Sequence, residues 1–280
     1  MWTSEDDIPG RYFVFDMEWV GDSFTPQQTH VTQIAARCVQ TGAHFSANVQ
    51  PLASSAAVAD VNAKMGRPTA EPGDLPATVL VQFIQWLREE SDAGEGLIVL
   101  IAHNGIRFDA PVLLANAHRY GVVLPSKLVI LDSLYHMRHH MRHHEDMDRY
   151  DLDSICESVG IEINPMVRHN AMYDVDLLHA ALLAMSSKWG IPYISGIPHP
   201  VCYSVMLVHG IGQTVCMRLG TTSLLALCQC ILVNGHSLDT EACTTYLESL
   251  DMRGTLPAIN IAMIAKHIKP AAQRYLHYLD

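Results

Sequence analysis

The chain is short of positive charge. Its 280 residues include 18 Lys and Arg against 29 Asp and Glu, a formal charge of −11. Bulk charge of this sign does not coat nucleic acid, so any polyanion must be gripped locally. No apolar run reaches the roughly 18 residues that a helical membrane span needs. The opening MWTSEDDIPG is acidic and has no apolar segment of the signal-peptide kind. The expectation is an intracellular protein, nuclear or cytoplasmic, with no membrane partner. The seven Cys are scattered without paired CxxC sets, which excludes a disulfide scaffold and suits a reducing compartment. No internal repeat is visible. What is present is a globular balance, 49% hydrophobic and 17% charged, in a chain long enough to bury a sizeable core.

YFVFD at 12–16 is an almost wholly apolar run, the pattern of a strand buried on both faces. Strand-like stretches follow at Val31–Val39 and His44–Val49, separated by the turn signal Thr41-Gly42. Residues 51–76 are rich in Ala, Ser, Pro and Gly and read as a loop region with room for one short helix. Val79, Leu80, Phe83, Trp86 and Leu87 then recur at helical spacing between Leu75 and Glu90, with Asp74 as the expected cap. LIVLIA at 97–102 is a buried strand. Pro111 is expected to open a helix that Gly121 stops. Leu128–Leu131 reads as strand, and Leu152–Val159 and Val175–Met185 as helices. Strands first, then strands alternating with helices, predict an α/β sheet layered with helices.

The cluster GIPYISGIPHP at 190–200 marks a boundary, giving a first domain over 1–195 and a small all-α domain over 198–280. The second segment holds five Lys/Arg and five Asp/Glu, so the acid surplus lies entirely in the first.

Three places in the first domain carry carboxylates at element ends. Asp16 and Glu18 close the first strand as DME, two apart and therefore on one face. Asp109 ends AHNGIRFD, directly after strand LIVLIA. Asp174 lies in RHNAMYDVDLL, five residues after His169. Carboxylates at such positions gather on one edge of a sheet, and the cluster is repulsive unless a cation occupies it. Hard oxygen donors suit Mg²⁺ or Mn²⁺.

The order DME, AHNGIRFD, then HxxxxD over residues 10–187 resembles the DEDDh 3′–5′ exonucleases, the DnaQ-like members of the ribonuclease-H-like superfamily. VTQIAA at 31–36, LDSL at 131–134 and YDLDSI at 150–155 are similar to the three-prime repair exonuclease branch. A looser similarity is to the exonuclease-like C-terminal region of promyelocytic leukaemia protein and its fish relatives. The resemblance implies a ribonuclease-H-like mixed sheet flanked by helices, and metal-dependent exonuclease activity yielding 5′ mononucleotides from DNA single strands or frayed 3′ ends. RNA trimming uses the same chemistry, and a weakly active scaffold that binds nucleic acid or protein is the reading from a different class. The implied partners are single-stranded DNA or DNA 3′ ends, with RNA and a homodimer also open.

Residue by residue, the resemblance implies that Asp16 bridges two divalent metals, that Glu18 and Asp174 complete one site, and that Asp109 serves the other. Two such ions sit roughly 4 Å apart and stabilise attacking and leaving oxygens at phosphorus. His169 would take the proton of the attacking water, a role for which an unperturbed pKa of about 6.5 is suited. The Met17–Trp19 backbone is the implied contact of the 3′ end; Asn104, and Arg138 and Arg142 of the His-rich run at 136–144, are further candidate substrate contacts read from their own positions. Asn104 is explained nearly as well as a turn former beside Gly105. Trp19 stands where the family commonly has Thr, and Gln33 where many members have Glu; little chemical consequence is expected of Gln33.

HMRHHMRHH at 136–144 holds five of the sixteen His together with Arg138 and Arg142. The functional expectation is a flap that contacts phosphates more strongly as pH falls; the alternatives are a solvated helix continuation or a loop that picks up metal. MLVHGIGQTVCMRLGTTSLLALCQ at 206–229 resembles a helix-hairpin-helix, in which a Gly-x-Gly turn brings backbone N–H groups to a phosphate. A SAP-like module and a packing cap are the rival readings of that region.

Overall fold

A computed structural model describes residues 10–20, 29–50, 73–91, 96–125, 127–141, 149–195 and 199–200. The expected helical domain therefore lies, from residue 201 onward, outside the described residues, as do Arg142, His143, His144 and the loop region at 51–72.

The sheet has six strands in the order β3-β2-β1-β4-β5-β6. They are β1 (Gly10–Val20), β2 (His30–Cys38), β3 (His44–Asn48), β4 (Leu97–Ala102), β5 (Leu128–Asp132) and the two-residue β6 (His199–Pro200). β1 pairs antiparallel with β2, and β2 with β3, as a meander. β4 and β5 add in parallel on the other side of β1, and β6 closes the edge antiparallel. The sheet thus takes in His199–Pro200, two residues past the expected start of the second domain.

Alternation along β1 sends Phe13, Phe15 and Met17 to one layer and Val14 to the other. The first layer is covered by α1 (Pro76–Glu90) and α2 (Asp109–Tyr120), with Phe15 and Phe83 stacked at 5.5 Å. The second is covered by α3 (Ser133–Met141), α4 (Leu152–Ser158) and α5 (Ala171–Trp189), which bury Met137, Ile155, Val175 and Leu182 against Val99 and Ile101. Gly105 is required behind β4, because a Cβ there would lie 2.4 Å from that of Ala102. Among the described residues no helix is long and apolar enough to cross a membrane.

Three local expectations need correction. Asp74 does not cap α1: the N-cap is Leu75, without a side-chain hydrogen bond, while Asp74 bridges to Val49. Pro76 suffices there, since its fixed φ fits the first helical position. α2 begins at Asp109, two residues before Pro111; a proline third in a helix still lacks only an N–H that has no intrahelical partner. The largest correction concerns the His-rich run. Residues 133–141 form a helix, not a flap, because Leu134, Met137 and Met141 recur at helical spacing and are buried. His136 is buried with them.

Candidate active site

The four acids converge at the end of β1. Asp16 and Glu18 share the β1 face that looks toward α5, where Asp174 stands in the first turn. The β1–β2 register shifts between Glu18 and Trp19, so the regular pairing is interrupted next to Glu18. Asp109, first residue of α2, comes from the other layer and accepts a hydrogen bond from the Met17 backbone N–H at 3.1 Å. Asn170 caps α5 by accepting from the Tyr173 N–H at 3.2 Å. The turn before it carries His169 at φ 62, in the left-handed region, with Nδ1 3.9 Å from Glu18 Oε1.

Glu18, Asp109 and Asp174 are only 6%, 3% and 8% exposed, so their charges lose most of their hydration. Burial, followed by the charges of Asp109, Glu18 and Asp174, pushes the Asp16 carboxyl well above its ordinary range. Burial raises Asp109 to about 7 despite the Met17 N–H. Asp174 is raised by burial too, against the pull of Arg168 and His169. Asp16 Oδ2 is sealed from solvent and has no hydrogen-bond partner. An orphaned buried oxygen among like charges is costly without a cation.

Glu18, His169 and Asp174 each present one donor atom, and these atoms lie within 4.8 Å of one another. Neither Asp16 nor Asp109 is among these donor atoms, although Asp16 feels the charges of Glu18, Asp174 and Asp109; two carboxylates with an imidazole fit a divalent ion such as Mg²⁺ or Mn²⁺.

Two residues of this region were not singled out from sequence. Asp132, at the end of β5, accepts from the backbone N–H groups of Asn104, Ile106 and Leu134 at 3.0, 3.1 and 2.9 Å. It holds the loop between β4 and Asp109; burial raises it to about 6 against those three donors. Arg168, next to His169, pairs with Asp174 and with Asp153. Only the similarity of LDSL to the three-prime repair exonuclease branch touched the first, and nothing distinguished the second. Gln33 also has a structural duty, accepting from the Ala171 N–H at 3.1 Å at the start of α5.

Of the expected substrate contacts, Met17 and Trp19 lie at the site on β1. Trp19 stacks on Phe108 at 6.4 Å between ring centres, and the Arg107 guanidinium lies 5.2 Å from the Phe108 ring. Asn104 adopts φ 59, and its carbonyl accepts from the Arg107 and Phe108 N–H groups, the turn-forming use of Asn. Arg138 is exposed on α3 and makes no ion pair with the four acids among the described residues.

Comparison with known proteins bears on this arrangement. Exonuclease I from Methylocaldum szegediense matches with a TM-score of 0.52 and 15% identity, over 75% of this chain and 45% of that one. Escherichia coli exonuclease I in complex with a dA16 oligonucleotide matches at 0.51 and 16%, over the same shares. The chain shares the fold of exonuclease I, a ribonuclease-H-like mixed sheet flanked by helices. Three prime repair exonuclease 2 of Mus musculus is 36% identical over 90 residues, 30% of this chain and 38% of that protein. No family model matches. The chain spans less than half the length of each of these proteins.

Proposed function

We propose that the chain is a metal-dependent 3′–5′ exonuclease that hydrolyses DNA single strands or frayed 3′ ends to 5′ mononucleotides. The observation that carries this reading is the meeting of Glu18, His169 and Asp174 within 4.8 Å, together with the unpartnered Asp16 oxygen and the buried Asp109. Asp16, Glu18, Asp109 and Asp174 would hold two ions of the Mg²⁺ or Mn²⁺ type. When bound, the ions supply positive charge for the attacking and leaving oxygens at phosphorus.

His169 takes the proton of the attacking water. Its Nδ1 lies 3.9 Å from Glu18 Oε1, which leaves Nε2 as the nitrogen turned away from that carboxylate for the transfer. Trp19 and Phe108 offer ring faces on which an unpaired base stacks, and the Met17–Trp19 backbone borders the 3′ end. Asn104 shapes the loop that carries Phe108. Arg138 and Arg142 would meet phosphates farther along the strand, and residues 201–280 would add a nucleic-acid-binding helical module. The solved complex of Escherichia coli exonuclease I holds a dA16 oligonucleotide, which supports single-stranded DNA as the substrate class.

The test is digestion of a 5′-labelled single-stranded DNA, its RNA counterpart and a duplex with Mg²⁺, Mn²⁺ or EDTA. A ladder shortening from the 3′ end of DNA, absent in EDTA, is expected. Preferential digestion of RNA would favour the trimming enzyme, and binding without digestion the scaffold.

A further inference from the structure

We infer that Arg168 is a resident counter-cation of the acid cluster, one that a divalent ion must displace from Asp174 in order to bind. The inference rests on the metal-site reading above. Arg168 Nη1 pairs with Asp174 Oδ1, and the two side chains are only 16% and 10% exposed. On its other side, Arg168 Nε holds Asp153 Oδ1 at 2.7 Å. The guanidinium is therefore fixed between α4 and α5 by two carboxylates, a use of its fork that a point-like ammonium cannot reproduce.

Asp174 belongs to the donor set for a cation, and Arg168 already pairs with one oxygen of that carboxylate, Oδ1. His169, the other basic group at the cluster, is 41% exposed on its side chain, so Arg168 is the more deeply buried positive charge. It lets Asp16, Glu18, Asp109 and Asp174 fold together before metal arrives. The same contact opposes metal entry. Arg168 is thus a positioning residue with two effects of opposite sign, support of the metal-free fold and antagonism of metal binding.

The experiment uses the full chain at pH 7.5, wild type and Arg168→Gln. Mn²⁺ affinity is measured by calorimetric titration, and melting temperature in EDTA and in saturating Mn²⁺. Arg168→Gln should melt lower in EDTA yet bind Mn²⁺ roughly tenfold more tightly, the lower end of what a unit charge in contact does to a carboxylate's charged form. Its melting temperature should therefore rise more on Mn²⁺ addition than that of wild type. A merely structural arginine predicts the lower melting temperature with equal or weaker Mn²⁺ binding, and that result overturns the inference. Should Arg168→Gln fail to fold, Arg168→Lys is read the same way: it keeps the charge but cannot span both partners, so a smaller gain in affinity supports the inference and no gain overturns it. Absence of saturable Mn²⁺ binding in every folded chain overturns this inference together with the metal site. Equal binding overturns this inference alone.

Discussion

The backbone N–H of Met17 donates to Asp109 Oδ1 at 3.1 Å, joining residues 92 apart in sequence. Met17 sends its side chain into the α1/α2 layer while its neighbours Asp16 and Glu18 face α5. The hydrogen bond therefore ties an acid from a strand–helix turn to the two acids on the strand. Asp109→Asn keeps an acceptor oxygen for Met17, and Asp109→Ala does not. Both should lose nuclease activity, but only the alanine should also lose about 1–3 kcal/mol for the unsatisfied buried donor. Urea unfolding in EDTA reads the difference; equal stability of the two variants would show that the tie holds nothing.

Asp16 and Asp174 should respond in opposite ways to removal. Asp16 has a buried oxygen with no partner and three acidic neighbours that raise its proton affinity. Asp16→Ala is expected to abolish turnover and, without metal, to stabilise the fold by about 1–3 kcal/mol. Asp174→Ala also abolishes turnover but orphans one side of Arg168. Because Asp153 still holds that guanidinium, the cost should be about 2 kcal/mol, below the ~3–5 of a fully broken buried pair. Thermal melts in EDTA decide between this and a uniform response to charge removal.

The division between what sequence discloses and what it hides follows the range of each interaction. β1, β4 and β5 are legible because buried strands are continuous apolar runs. The acids are legible because strand alternation and the strand–helix turns fix where they emerge. Asp132 escapes notice because its partners are the backbone N–H groups of Asn104, Ile106 and Leu134, which carry no side-chain signature. Arg168 is held by carboxylates on two different helices, and charged residues in a turn ordinarily read as solvated. His136 misleads for a similar reason: its partner, Ser195, is 59 residues away. Histidine by itself announces neither burial nor exposure.

His169→Ala should lower turnover by about 10²–10⁴-fold, the usual contribution of a general base. Mn²⁺ affinity should stay close to that of wild type. The geometry also admits His169 among the donor atoms for a cation, and the two roles separate in one titration. Loss of Mn²⁺ affinity with a normal rate at saturating metal would make it a ligand.

Trp19 and Phe108 present a joined aromatic surface next to Glu18 and Asp109. Stacking of a base on such a surface is worth about 1–3 kcal/mol. Trp19→Ala should accordingly raise KM for a single-stranded oligonucleotide by roughly 5–150-fold, with kcat changed little. The same substitution should barely affect hydrolysis of a chromogenic phosphodiester that has no base. If both substrates suffer equally, Trp19 shapes the strand end and does not hold substrate.

The buried histidine on α3 sets an acid limit on the fold. His136 is 3% exposed; its Nδ1 accepts from the Ser195 backbone N–H at 3.1 Å and lies 3.0 Å from the Ser195 hydroxyl. An Nδ1 that accepts a proton donor carries none itself, so the ring is neutral in the fold. Burial first, then the charge of His140, pushes its titration from 6.5 down to about 3. Between those values the unfolded chain binds more protons than the folded one. Stability therefore rises with pH across that window, and His136 subtracts stability progressively as pH falls below its unfolded pKa. The slope for one such group is about 1.4 kcal/mol per pH unit. His136→Gln cannot titrate. The stability gap between wild type and variant should be largest above pH 7 and shrink by about 1.4 kcal/mol per unit between pH 6 and pH 4. His103, lowered to about 4 mainly by burial, titrates in both proteins and cancels from the difference. Denaturant unfolding in EDTA at half-unit intervals measures the gap, and a constant gap from pH 7.5 to pH 4.5 would show that His136 is solvated. A neutral, buried His136 also gives phosphate no positive charge at pH 6, so the salt dependence of single-stranded DNA binding, measured with Ca²⁺ present, should be the same in His136→Gln as in wild type.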